Sequence, residues 1–92
     1  MNYQLMLSPE AQRQLVQWRK SGQKKTLLKI AALFEELKSH PQTGTGKPEQ
    51  LKGDFQGLWS RRIDKASRLV YKIEEETITV FVISIKGHYG DK

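Results

Sequence analysis

The feature that most restricts the fold is a long apolar run at residues 77–86, TITVFVISIK. β-Branched and aromatic residues are frequent in it, which is typical of a β-strand. Because apolar and polar residues hardly alternate along it, we expect a central strand with both of its faces covered. Any fold of this chain must therefore surround this strand with other elements.

Two helices are predicted in the first half of the chain. Residues 3–7, YQLML, are predicted as a short first strand. Ser8 is a typical N-cap with Pro9 in the first helical position, so a helix begins there and ends near Gly22. A second helix is predicted over residues 23–39, and the short turn between the two makes them a hairpin. The apolar residues that recur at helical spacing are Ala11, Leu15, Trp18, Leu27, Ile30, Leu33, Phe34 and Leu37.

The second half of the chain is predicted to be mostly strand. Residues 41–53, PQTGTGKPEQLKG, are rich in Gly and Pro and are predicted as a loop. Strands are predicted over 57–63, 68–73 and 77–86, and the short breaks between them make them antiparallel neighbours. The predicted fold class is α+β: one domain, residues 1–92, in which an N-terminal helical hairpin packs on a small, antiparallel-rich twisted sheet.

Side-chain alternation divides the predicted hairpin 57–73 into two faces. With a turn through residues 64–66, Ile63 lies opposite Ser67. Arg61 then shares the helix-facing side, and its charged end is expected to reach solvent at the edge. The opposite face carries three cations, Arg62, Arg68 and Lys72. Such a face is either a phosphate-binding surface or an ordinary solvated one, and the pattern alone favours the second.

The composition is basic, with sixteen Lys and Arg against ten Asp and Glu and a net charge of +6. This excess favours anionic partners, although an ordinary basic surface explains it equally well. The chain has no cysteine, MNYQLMLSPE lacks the pattern of a signal peptide, and no apolar run approaches the roughly 20 residues that span a bilayer. We therefore expect a cytoplasmic protein that does not associate with membranes.

The residue inventory favours acid–base chemistry without a metal. With no cysteine and histidines only at positions 40 and 88, no metal site or other cofactor is expected. P-loop spacing and a GxSxG motif are also missing. An acid–base pair, cations for a phosphate and an aromatic for a base would together allow RNA cleavage by the 2′-hydroxyl. The residues that supply these groups are Glu49, Arg62, Arg68, His88 and Tyr89. Each of them taken singly also has an ordinary structural explanation.

Four blocks of sequence, GKPEQLKG, LWSRRI, RLVY and a terminal HY, resemble the YoeB family of bacterial toxins within the RelE-like superfamily. The resemblance covers roughly residues 44–89. It implies a RelE-like, microbial ribonuclease-like fold and an mRNA endoribonuclease that acts in the ribosomal A site and inhibits translation. It also implies a cognate antitoxin that silences the toxin, and a homodimer.

Transferred position by position, the resemblance implies roles for particular residues. Glu49 resembles the general base and His88 the general acid, while Arg68 resembles a cation of the transition state and Tyr89 orients the substrate. The residues that resemble or flank RNA contacts are Lys47, Lys52 and Arg62. The sequence departs from some relatives at Gly87 and in the residues 90–92 that follow the tyrosine, which affects the expected geometry around His88.

Two other functions fit the same fold. One is a toxin that binds and poisons a topoisomerase, which does not need the Glu, Arg and His set. The other is a plain RNA-binding module, for which Glu49→Gln would leave the function intact because binding needs no base. Ribosome-dependent cleavage of RNA would distinguish the nuclease from both.

Overall fold

Two helices lie against one face of a five-stranded mixed sheet in the computed structural model, which describes residues 2–86. The elements are β1 (Gln4–Leu7), α1 (Pro9–Lys20), α2 (Lys24–Ser39), β2 (Glu49–Gln50), β3 (Trp59–Arg62), β4 (Arg68–Glu74) and β5 (Thr79–Lys86), with a 3₁₀ turn at Gly53–Phe55. The predicted α+β class is confirmed. Within residues 2–86, no helix has both the length and the apolar character needed to cross a membrane.

The strand order is β1-β5-β4-β3-β2, so β5 has neighbours on both edges, as the apolar run predicts. It is parallel to β1 and antiparallel to β4, and β4 occupies the central position. The prediction that both faces of β5 are covered is wrong in part. The helices cover the face of Val80 and Val82, which are fully buried, whereas Phe81 and Ile83 on the opposite side are only half-buried.

A β-bulge in β5 explains how this strand keeps contact with the core. Tyr71 pairs with Val82 and Val70 pairs with Ser84, which leaves Ile83 as an extra residue. The alternation of side chains shifts by one at that point, so Ile85 again faces the core and is fully buried.

Side chains of α1 and of its N-cap bind the second half of β5. Ser8 is the N-cap of α1: its Oγ accepts a hydrogen bond from the Ala11 amide (3.0 Å) and donates to the Ile83 carbonyl (2.7 Å). Near the end of β5, Trp18 Nε1 donates to the Ile85 carbonyl (2.9 Å) and Gln14 Oε1 accepts from the Ile85 amide (2.6 Å). The last residues of β5 are therefore held by α1 as well as by the sheet.

The β3–β4 hairpin has the predicted register. The Ile63 amide donates to the Ser67 carbonyl (2.9 Å), and Arg62 lies directly opposite Arg68. The prediction that residues 41–53 are entirely loop is wrong, because Glu49 and Gln50 form the edge strand β2 on β3. Its pairing satisfies backbone groups that β3 would otherwise leave open at its edge.

Candidate active site

Strands β2, β3 and β4 carry an open cleft on the face turned away from the helices. Its volume is about 360 Å³. We call it the Glu49 cleft, and its lining residues are Glu49, Gln50, Leu51, Lys52, Ser60, Arg68 and Val70. A proton acceptor and two cations therefore line one concave surface that is accessible to a polymer.

The sheet register explains why Glu49 and Arg68 share this cleft. Glu49 lies opposite Ser60, and Ser60 lies opposite Val70, so these three residues form a row across three strands. Arg68 is two residues before Val70 on β4 and therefore points to the same face, about 7 Å along the strand. Sequence reasoning assigned neither Ser60 nor Val70 to the site, although strand alternation places both on this face.

A second row, which we call the cation row, consists of Arg62, Arg68 and Lys86. Arg62 is the partner of Arg68 on β3, and Lys86 is the partner of Arg68 on β5. All three side chains are exposed, and none forms an ion pair with another residue in the range 2–86. Like charges directly opposite each other repel, so this row favours a bound anion. Sequence reasoning missed Lys86 because its position depends on the β-bulge.

The other predicted site residues are only partly found in the lining of the Glu49 cleft. Lys52 lines the Glu49 cleft, whereas Lys47 and Arg62 lie outside its lining. Lys72, predicted on the same cationic face, forms an ion pair of 3.1 Å with Glu74 and is not part of the cleft lining. His88 and Tyr89 lie outside the described residues, so their predicted roles stay predictions.

An apolar groove of about 470 Å³ adjoins the Glu49 cleft, and Leu51 and Val70 line both. Phe55 is 60% exposed on its rim, although aromatic side chains are usually buried. The residues that complete its lining are Glu10, Leu58, Ile83, Ser84 and Lys86. The site thus combines cations with an exposed aromatic surface.

Arg61 does not reach solvent, so this prediction from the sequence is wrong. The residue is fully buried, and its guanidinium forms an ion pair with Glu36 at 2.7 Å. All five of its N–H donors are used. Their acceptors are Glu36 Oε1 (2.7 Å), the carbonyls of Thr45 (3.2 Å), Thr43 (2.7 Å) and His40, and the Tyr71 hydroxyl (3.2 Å). We call this set the Arg61 network.

Two titratable groups in the Arg61 network have shifted pKa values. Hydrogen bonds from Thr45 and the charge of Arg61 hold the pKa of the Glu36 carboxyl below its ordinary value, against a smaller opposing effect of burial. Burial raises the pKa of the Tyr71 hydroxyl, and Arg61 opposes this rise. Tyr71 is therefore neutral and Glu36 charged at neutral pH, which suits the hydrogen bonds that each makes.

Within residues 2–86, no three His, Asp or Glu side chains are grouped so that they could hold a metal ion. The polar groups that line the Glu49 cleft are a carboxylate, two cations, an amide and a hydroxyl.

Comparison with known proteins identifies the family. A family model described as a YoeB-like toxin of a bacterial type II toxin-antitoxin system matches residues 7–89. The chain belongs to this family of YoeB-like toxins. The similarity to a toxin is thus not limited to the motif-bearing half, since it extends through both helices.

Individual YoeB proteins support this assignment. Toxin YoeB of Streptomyces coelicolor is 42% identical over 74 residues, which are 80% of this chain and 84% of that protein. The solved YoeB/ParE toxin from Agrobacterium tumefaciens has a TM-score of 0.84 at 34% identity and covers 94% of this chain and 99% of its own.

YoeB of Staphylococcus aureus has been solved in a YoeB-YefM complex and as a dimer. The TM-scores are 0.80 and 0.79, and both chains are 31% identical and cover 97% of this chain and all of their own. The fold of this chain is therefore that of YoeB toxins, and the resemblance stated from its four sequence blocks is confirmed.

Proposed function

We propose that this YoeB-like toxin is a ribosome-dependent endoribonuclease that cleaves mRNA in the A site and so inhibits translation in the cytoplasm. The observation that carries this proposal is the presence of Glu49 and Arg68 in one open cleft, where Arg68 belongs to a cation row that has no ion pair within residues 2–86. A carboxylate that can take a proton and cations that can hold a phosphate are the groups that cleavage by a 2′-hydroxyl needs.

The reaction follows from these groups. Glu49 removes the proton of the 2′-hydroxyl, the oxygen attacks the adjacent phosphorus, and the bond from phosphorus to the 5′ oxygen breaks. His88 donates a proton to that leaving oxygen, and Tyr89 orients the substrate. The products are a 2′,3′-cyclic phosphate and a 5′-hydroxyl, so atoms and charge balance without a metal or other cofactor.

The cations stabilise the transition state and bind the RNA backbone. Arg68 stabilises the negative charge that develops on the phosphate, and Arg62 and Lys86 hold the neighbouring backbone. Lys47 and Lys52 contact the RNA on the β2 side. Phe55 offers a stacking surface for a base next to the scissile phosphate.

In this proposal the ribosome restricts the conformation of the message, which an open cleft alone does not do. The Glu49 cleft is open, and its carboxylate is on an exposed edge strand, so the cleft alone confines a flexible message weakly. A message held in the A site has a restricted conformation, and such orientation contributes strongly to the rate of an intramolecular attack.

The proposed protein partners are a cognate antitoxin and a second copy of this chain. The YoeB-YefM complex and the YoeB dimer from Staphylococcus aureus, both above 30% identity, support them. The net charge of +6 favours an acidic antitoxin segment that covers the cation row. Its binding should weaken with added salt and should raise the melting temperature of the toxin.

The ends of the RNA products test the proposal. Purified protein is added to ribosomes programmed with a defined message, and the products are analysed for their termini. We expect a 2′,3′-cyclic phosphate, or the 3′-phosphate formed by its opening, opposite a 5′-hydroxyl. Products with a 3′-hydroxyl and a 5′-phosphate would contradict the mechanism. Binding without cleavage would favour an RNA-binding module, and inhibition of a topoisomerase would favour the second alternative.

A further inference from the structure

The loop that leads to Glu49 is attached to a single buried side chain. Three carbonyl groups in this loop, those of His40, Thr43 and Thr45, accept hydrogen bonds from Arg61. The Glu36 carboxylate completes the attachment, since it accepts from the Thr45 amide (2.8 Å) and from the Thr45 hydroxyl (2.6 Å). Most of the contacts of the Arg61 network therefore go to one loop.

The loop also makes backbone contacts with β3 between Thr45 and Glu49. The Gly46 carbonyl accepts a hydrogen bond of 2.7 Å from the Arg62 amide, and Glu49 then pairs with Ser60. Between these points Lys47 has a φ of 52°, a left-handed conformation that costs energy in a non-glycine residue. The loop thus enters β2 along one defined path.

The space around the loop is restricted as well. A Cβ at Gly44 would overlap the Glu36 carboxylate, and one at Gly46 would lie 2.8 Å from the Arg62 carbonyl. Both glycines also have positive φ. The loop therefore fits closely against the Arg61 network and β3.

We propose that Arg61 is a positioning residue for cleavage, because its hydrogen bonds fix the loop 40–47 and thereby hold Glu49 in register with Arg68. This inference rests on the proposed role of Glu49. Arg61 does not touch the substrate, since it is fully buried on the helix-facing side of the sheet. Its neighbour Arg62 is exposed on the opposite face, so the two consecutive arginines have different tasks.

A purely stabilising role explains the arrangement less well. Buried ion pairs are often no more stabilising than apolar residues of similar size, because desolvation offsets their attraction. The planar guanidinium instead provides five donors in fixed directions, which an apolar side chain or lysine does not. Its particular contribution here is the geometry of the loop carbonyls.

The test combines Arg61→Lys and Thr45→Val with Glu49→Gln. Thr45 is exposed, and Thr45→Val removes its hydroxyl bond to Glu36 while keeping its shape, so this variant should fold even if Arg61→Lys does not. Glu35→Gln is the matched control, because Glu35 lies next to Glu36 and its one ion pair within residues 2–86 is the exposed pair with Lys38. Amide hydrogen exchange of residues 43–49 reports the loop, and single-turnover cleavage of ribosome-bound message reports the site.

Arg61→Lys should accelerate exchange of residues 43–49 by about tenfold or more while the amides of β4 keep their protection. The maximal cleavage rate should fall roughly 10- to 100-fold with little change in the enzyme concentration for half-saturation, as expected for misplacement of a reacting group. Thr45→Val should shift both quantities in the same direction by less. Glu35→Gln should behave as wild type.

The decisive comparison is the double variant. If Arg61 acts through Glu49, then Arg61→Lys together with Glu49→Gln should be hardly slower than Glu49→Gln alone, and the same holds for Thr45→Val. Single effects that multiply fully, or a tightly protected loop in Arg61→Lys, would overturn this inference while leaving the proposed function in place. Cleavage by Glu49→Gln at the full rate would overturn both.

Discussion

Arg62 and Arg68 are direct partners across the β3–β4 hairpin, and neither forms an ion pair with another residue in the range 2–86. A fold selected only for stability would place an acid opposite one of them, since opposite charges in such positions attract. The repulsion is better explained by a ligand that brings its own negative charge. Under the proposed function, this ligand is the phosphate of the message.

This relationship predicts a variant that is at least as stable as wild type but cleaves more slowly. Arg62→Gln should leave the free energy of unfolding unchanged or raise it by about 0.2–1 kcal/mol, because the repulsion with Arg68 disappears. Cleavage should slow, and its dependence on salt should weaken. Urea unfolding and cleavage at two salt concentrations measure these effects. Lys65→Gln, a change of charge in the exposed hairpin turn, serves as the control, and a marked loss of stability in Arg62→Gln alone would contradict the interpretation.

Glu49→Gln should separate chemistry from binding. The substitution keeps the size of the side chain and removes its ability to take a proton, so single-turnover cleavage should slow by ~10²–10⁴. The melting temperature should stay near that of wild type, because Glu49 is exposed on a two-residue edge strand. Association with ribosomes, measured by co-sedimentation, should be retained. A fully active Glu49→Gln would show that another group is the base.

Tyr71→Phe should destabilise the fold. The Tyr71 hydroxyl is buried, accepts a hydrogen bond from Arg61 and donates one of 2.6 Å to the Pro41 carbonyl. Removing it leaves a buried donor and a buried acceptor without a partner, at a cost of about 1–3 kcal/mol in urea unfolding. Tyr3→Phe is the matched control, since the Tyr3 hydroxyl bonds to Glu75 in an exposed position. Equal effects of the two substitutions would contradict the importance assigned to the Arg61 network.

Acid should weaken the protein partly through Glu36. Its pKa in the folded state lies below the ordinary value of 4.5, so its contribution to stability is complete above that value and is lost as the pH falls through the lower folded pKa. Urea unfolding between about pH 6 and about pH 3 should therefore show a steeper loss for wild type than for Glu36→Gln. Glu35→Gln should follow wild type. Parallel curves for wild type and Glu36→Gln would mean that the carboxylate adds no pH-dependent stability.

His88→Ala tests the proposed proton donor. On ribosomes, single-turnover cleavage at saturating enzyme should slow by ~10²–10⁴ while binding is retained. Deleting residues 90–92 should cost much less, because no role is assigned beyond Tyr89. If the deletion is as harmful as His88→Ala, the active site extends into these residues. If His88→Ala cleaves at the full rate, Tyr89 is the next candidate for the donor.

The sequence by itself determined those features that depend on local periodicity. Alternation along two strands and the short turn between them place Arg62 opposite Arg68, and the N-cap at Ser8 fixes the start of α1. The apolar positions of both helices are buried or half-buried in the core, as their spacing predicts. The family also follows from short blocks of sequence. These features need only neighbouring residues, and a side-chain period of two or 3.6 is visible in any single chain.

Only the tertiary structure decided that Arg61 is buried, that β2 pairs with β3 and that Lys86 lies in the cation row. Alternation correctly placed Arg61 on the helix-facing side, but its burial depends on acceptors supplied by α2, by the loop after it and by Tyr71, all distant in sequence. Lys86 joins the cation row because the bulge at Ile83 shifts the register of β5. The first two outcomes depend on which distant groups satisfy a buried charge or an open strand edge, and the third depends on a bulge in the pairing of two strands. Local sequence does not encode these choices.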